Sequence, residues 1–278
     1  MKSAFRFFVY SNLFIAVCAV LMVNQTYDAV LHKSPNLDLL WFVFFSTVCS
    51  YSFHWYLSGE SLVSSPRVEW LSRHRAFHLV LFFAGLAGCL FFFWRLLPYW
   101  RWLAVTALIT FLYSAPKVPH PWFRALRKVA VGKTIFLTLV WTYVTAGLPV
   151  VLSGVTWSTG IIFFFLSRFF FIYAICIMFD FRDRADDRAT GIRSMVTWLS
   201  EKGVDRLFFA SLLVAAVCSI FLLRSGFSVV GVILLLIPCV VAAAIYNYSK
   251  NHFSDYLYYF VIDGLMMFSA LLMLVFRI

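Results

Sequence analysis

Nine runs of apolar residues, each about 17–23 residues long, set the strongest limit on what this chain can fold into. They cover approximately residues 4–23, 37–57, 75–94, 97–113, 132–152, 158–179, 206–223, 227–246 and 255–276. Hydrocarbon offers no water to unpaired backbone groups, so only helices and closed barrels cross it. Continuous runs of this length fit helices, whereas barrel strands alternate over about 10 residues. Composition agrees. Of 278 residues 63% are hydrophobic, 33 are Phe and 10 are Trp, against about 45–50% apolar in soluble domains. The chain reads as an all-α polytopic membrane protein, a single transmembrane domain over 1–278 with nine transmembrane helices.

Charge then orients it. The net charge of +11 reflects basic residues in the connections, and no nucleic-acid partner is needed to explain it; the partner is the lipid bilayer. Of the 23 Lys and Arg, 17 fall in alternate connections on one side and five on the other, with Arg168 inside a run. The positive side is expected to be cytoplasmic, which places the N-terminus inside, the C-terminus outside and every large loop on one face. These loops, about 58–74, 114–131 and 180–205, are expected to form a cap. No small-residue cleavage site precedes Asn24, so the first run reads as a retained span. All six cysteines lie inside apolar runs without a Cys-x-x-Cys pair, which argues against disulfides and zinc.

The stretch DFRDRADDRATGIRSMVTWLSEK, from Asp180 to Lys202, follows the sixth run and packs four of the chain's twelve acidic residues into eight positions. Asp180, Asp183 and Asp187 are spaced i, i+3, i+7, so a helix puts them on one face. Three carboxylates that close repel one another unless a cation neutralises them. A hard divalent ion such as Mg²⁺ suits them and leaves positions open for phosphate oxygens. Arg182 and its neighbours are expected to pair with phosphate or with Asp186. A solvated, salt-bridged helix end is the plainer alternative. Further along, Ile192, Met195, Val196 and Leu199 make one apolar stripe, expected to be a short surface helix that Gly203 stops.

Other polar residues stand out against the apolar background. Lys117 lies four residues beyond Tyr113, and Lys133 opens the fifth run, both on the face that holds the aspartates. Arg168 sits in the middle of the sixth run, at a cost of at least about 2.5–3.5 kcal/mol; Asp263 is its expected partner. Ser50, His54 and Ser58 recur at four-residue spacing where the second run ends.

Nine spans, polar loops after the second, fourth and sixth, and DFRDRADDRATGIRS after span six resemble the UbiA superfamily of intramembrane prenyltransferases. Asp180, Asp183 and Asp187 match that family's second aspartate motif, and Tyr113 and Lys117 match its Y-x-x-x-K element. The resemblance implies helices around a central chamber open to lipid. It also implies Mg²⁺ as cofactor, and transfer of a prenyl group from a prenyl diphosphate to an aromatic or other lipophilic acceptor. Expected site residues are Asp180, Asp183 and Asp187 for metal and catalysis, with Tyr113, Lys117, Lys133, Arg182 and His54 binding substrate. An integral protein of a bacterial inner membrane, with its active-site loops cytoplasmic, follows. The family's first aspartate motif belongs at the end of span two, where this chain has no aspartate. A non-catalytic relative that binds an isoprenoid or supports a partner therefore stands as the alternative.

The charge bias gives a direct test of orientation. Reporter fusions after Lys128 and Lys250 are expected to read as cytoplasmic, and fusions after Lys33 and Arg224 as external. The reverse pattern refutes the assignment.

Overall fold

The computed structural model describes residues 2–57, 65–114, 131–189 and 195–277. Its regular elements are all helical, with no strand among the described residues. In chain order they are α1 (Lys2–Tyr10), α2 (Leu13–Gln25, continuing as a π-turn over Thr26–Leu31), α3 (Leu37–Leu57), α4 (Pro66–Arg73), α5 (Arg75–Arg95) and α6 (Trp100–Ser114). Next come α7 (Val131–Thr142, a π-turn over Tyr143–Gly147, then Leu148–Ser153), α8 (Thr159–Ala189), α9 (Met195–Trp198), α10 (Glu201–Phe221), α11 (Val229–Ser249) and α12 (a π-turn over Leu257–Ile262, then Asp263–Phe276).

Seven helices among the described residues are long and apolar enough to cross a membrane, running from Leu13–Leu31 to Leu257–Phe276. The other two expected spans are helical but weaker. In α3, Asp38, Ser46, Thr47, Ser50, Ser52 and His54 dilute an otherwise apolar 21-residue helix. The apolar part of α6 belongs to a shorter helix, Leu97–Leu112. Apolar side chains on the outer faces stay exposed, among them Val80, Phe83, Trp94, Leu213 and Val240, as surfaces that face lipid require. Close approach of α3 and α5 depends on Gly85, where a Cβ would lie 2.8 Å from the backbone nitrogen of Cys49.

Two boundaries differ from expectation. The first run is broken at Asn12, which takes a left-handed conformation with φ 66° and separates α1 from α2. Asparagine tolerates that conformation better than most residues. Gly203 does not stop a helix. Ser200 caps α10 by accepting a bond from the Gly203 N–H at 3.2 Å, so the glycine lies in the first turn of the next helix.

Helix α8 organises the interior. Its 31 residues span about 46 Å, longer than the roughly 30 Å hydrocarbon core. The last turns therefore project beyond the apolar layer and carry Asp180 to Arg188 as a continuous helix. Near the middle of the apolar part Arg168 is buried at 7% exposure. Asp263 is not its partner, contrary to expectation. The Nη1 group donates to the carbonyls of Met22 (3.0 Å) and Thr145 (2.7 Å) and to Thr26 Oγ1 (2.8 Å), while Nη2 donates to Gln25 Oε1 at 2.7 Å. Gln25 in turn donates to Ser269 Oγ on α12 at 3.1 Å. Thr145 sits in the π-turn of α7, whose altered bonding pattern opens its carbonyl to these donors. One guanidinium thus ties α8 to α2 and α7, and through Gln25 to α12. A small cleft of about 20 Å³ lies beside it, lined by Gln25, Ser167, Phe171, Pro238 and Met266 among others.

Interhelical polar contacts in membranes are worth about 0.6 kcal/mol each, and stranded acceptors add to the loss. Arg168→Met is expected to destabilise the purified protein by about 2–4 kcal/mol, seen as a lower midpoint of thermal unfolding in detergent. An unchanged midpoint contradicts the role assigned to Arg168.

Candidate functional site at the end of α8

The three aspartates do share one helix, and the fold treats them differently. Asp180 is buried at 4% exposure and accepts a short hydrogen bond from Thr134 Oγ1 on α7. Asp187, two turns on, is buried at 3%. Asp183 lies between them, with a third of its side chain exposed. Arg182 pairs with Asp183, its Nε and Nη2 both 2.8 Å from Oδ1, while the side chain of Asp186, an expected partner, lies outside the described residues. Among the described residues no three acidic, histidine or cysteine side chains converge closely enough to hold a metal in this arrangement.

The donor chemistry nevertheless fits a hard divalent ion. All three groups supply carboxylate oxygens from one face within two helical turns, two of them withdrawn from water, and Mg²⁺ accepts one or two carboxylates together with phosphate. Ligand hardness points the same way, because carboxylate oxygens suit Mg²⁺ better than softer metals.

Arginines and aromatic rings build the wall beside the carboxylates. The Arg182 guanidinium lies 4.7 Å from the centre of the Tyr259 ring, 5.0 Å from Phe179 and 5.2 Å from Tyr258. Tyr259 also faces Arg67, whose guanidinium is 3.6 Å from its centre and 4.5 Å from Trp55. Trp55 meets Tyr259 edge-on at 6.0 Å, and Phe179 meets it at 6.2 Å. The end of α3 and the aspartate end of α8 are therefore joined across a single tyrosine. Asp263, one turn beyond Tyr259, feels Arg67 and Arg182 as its principal charges.

His54 lies in the last turn of α3, next to Trp55. Tyr113 and Lys133 fall on α6 and α7, but their side chains, like that of Asp186 and the whole of Lys117 and Ser58, lie outside the described residues. Sequence reasoning missed Arg67, which counted only as a topology charge, and Thr134, which looks like any span threonine. It also missed Tyr258 and Tyr259, which no spacing separates from other aromatics. The one available signal for Arg67 is local: Ser65 followed by Pro66 marks a helix start, and Ser65 does cap α4, accepting from the Val68 N–H at 3.3 Å.

Neither a search of curated proteins nor one of solved structures gave a match. Residues 69–271 match the UbiA prenyltransferase family. The match covers most of the chain and includes the Asp180–Asp187 face, and it begins after the end of α3, where the first aspartate motif is missing. With the helical membrane fold and the carboxylate face both in place, this chain belongs to the UbiA prenyltransferase family.

Proposed function

We propose that the protein transfers a prenyl group from a prenyl diphosphate to an aromatic or other lipophilic acceptor within the membrane. The observation that carries this reading is the carboxylate face of Asp180, Asp183 and Asp187, held partly buried on the projecting end of α8 in a chain of this family. In this reading those three residues hold Mg²⁺, which neutralises charge on the diphosphate. Arg182, Lys117 and Lys133 bind phosphate oxygens, with Tyr113 and His54 completing the substrate site. Fixed cations there stabilise the negative charge that grows on the leaving group as the C–O bond to the prenyl carbon breaks.

The prenyl fragment becomes electron-poor at that moment, and the faces of Phe179, Tyr258 and Tyr259 are close by. Ring faces stabilise a desolvated cation by about 2 kcal/mol. A dry chamber also protects that fragment from capture by water. In this reading the segments about 58–74, 114–131 and 180–205, of which 58–64, 115–130 and 190–194 lie outside the described residues, cap the site on the cytoplasmic face of a bacterial inner membrane.

The missing first motif favours a second reading, in which the chain binds an isoprenoid or supports a partner without catalysis. The two separate on one experiment. Asp183→Asn is expected to abolish Mg²⁺-dependent release of pyrophosphate from a prenyl diphosphate by the purified protein. Release that survives the substitution rejects the metal site, and no release by the unaltered protein with any prenyl donor favours the second reading.

A further inference from the structure

The family's first aspartate motif belongs at the end of α3, and this chain places a different charge there. Arg67 comes from the second residue of α4, a helix of eight residues outside the spans, yet it is only 3% exposed. Its guanidinium is laid over Trp55 from the end of α3 and over Tyr259, and Tyr259 also carries Arg182 on its way to Asp183. It therefore stands between the end of α3, which among the described residues carries no carboxylate, and the wall that has them.

A buried guanidinium is ordinarily paired with a carboxylate, because taking the charge out of water costs several kcal/mol. Arg67 has no ion pair among the described residues. Nη2 donates to Asn12 Oδ1 at 2.9 Å, and Nε is buried without an acceptor. Asp263 and Asp255 act on the guanidinium itself through space, without bonding it. The two rings attract the cation without accepting its N–H bonds.

Its position is fixed by the fold. The Arg67 backbone N–H donates to Asp255 Oδ2 at 2.7 Å, Ser65 caps the same turn, and the break at Asn12 supplies the amide oxygen that holds Nη2. What the fold has built is a dry, immobile positive charge with an unfilled donor. Phosphate oxygens suit that combination, since guanidinium binds them through directed, charge-assisted hydrogen bonds.

We propose that Arg67 binds the phosphate oxygens of the isoprenoid head from the α3 wall, as a built-in cation at the place where the absent motif would hold an ion. This rests on the prenyl diphosphate reading of the Asp180–Asp187 face. It makes part of the diphosphate affinity independent of metal.

The test is calorimetric titration of the detergent-purified full chain with inorganic pyrophosphate and with geranyl S-thiolodiphosphate, each in Mg²⁺ and in EDTA. In EDTA the unaltered protein is expected to keep weak binding of both probes, and Arg67→Gln to weaken it about tenfold or more. Asp183→Asn is expected to remove only the gain that Mg²⁺ brings. Asn12→Asp guards against misfolding of the first variant: it keeps the hydrogen bond to Nη2 but supplies a counter-charge, and is expected to weaken binding in EDTA while the thermal midpoint holds.

Unchanged affinity in Arg67→Gln, or in a folded Asn12→Asp, overturns the proposal. So does an effect on pyrophosphate with none on the thiolodiphosphate, or loss of the Arg67 dependence to short-chain phosphatidylglycerol alone, which would make the ligand a free phosphate or a lipid headgroup. If Arg67→Gln is without effect while Asp183→Asn abolishes the Mg²⁺ gain, the carboxylate reading stands and Arg67 falls. If the unaltered protein binds neither probe, both fall.

Discussion

A guanidinium at mid-depth in a bilayer is intolerable unless the protein supplies its acceptors, and the hydrogen bonds around Arg168 are what the interior is built on. They come from the carbonyls of Met22 and Thr145, from Thr26 and from Gln25, with no carboxylate among them. Two helices give up regular α-bonding nearby, at Thr26–Leu31 and Tyr143–Gly147. Such π-turns free backbone acceptors that an apolar run otherwise lacks. The result is a fixed point on α8 about 18 Å along the axis from Asp180, so the helix that bears the carboxylates is held by polar contacts as well as by packing.

Toward the inner end, the problem changes from satisfying one charge to balancing several. Arg182 pairs with Asp183, Thr134 donates to Asp180, and Asp263 lies in the field of two arginines without bonding either. Aromatic rings lie over Arg182 and Arg67, and partial burial makes each electrostatic contact stronger than it would be at a surface. In the proposed function such a site recognises an anionic head through a few directed bonds and leaves the apolar tail to the surrounding helices. Prenyl diphosphates have that division of character.

Much of this was legible in the sequence. Runs of apolar residues gave the helical membrane fold, and the i, i+3, i+7 spacing put Asp180, Asp183 and Asp187 on one helix face. What failed has a common cause. Arg168 was matched with Asp263 because a charge calls for a charge, yet its acceptors include backbone carbonyls, which carry no sequence signature. Arg67 looked like one of many loop cations, because its burial depends on Asn12, Trp55 and Tyr259, far apart in the chain. Apolar length hid the break at Asn12, and Gly203 read as a stop because the capping role of Ser200 shows only once both helices are placed.

The central claim is that the carboxylate end of α8 and the tyrosine wall beside it receive the head of a phosphorylated isoprenoid. A structure determined with Mg²⁺ and a non-ionisable prenyl thiodiphosphate tests this most directly. The account predicts an ion against Asp180, Asp183 or Asp187, with the diphosphate between them and Tyr259 and the prenyl chain running inward among the helices. Density for the analogue elsewhere, or an ion bound away from those three residues, contradicts it.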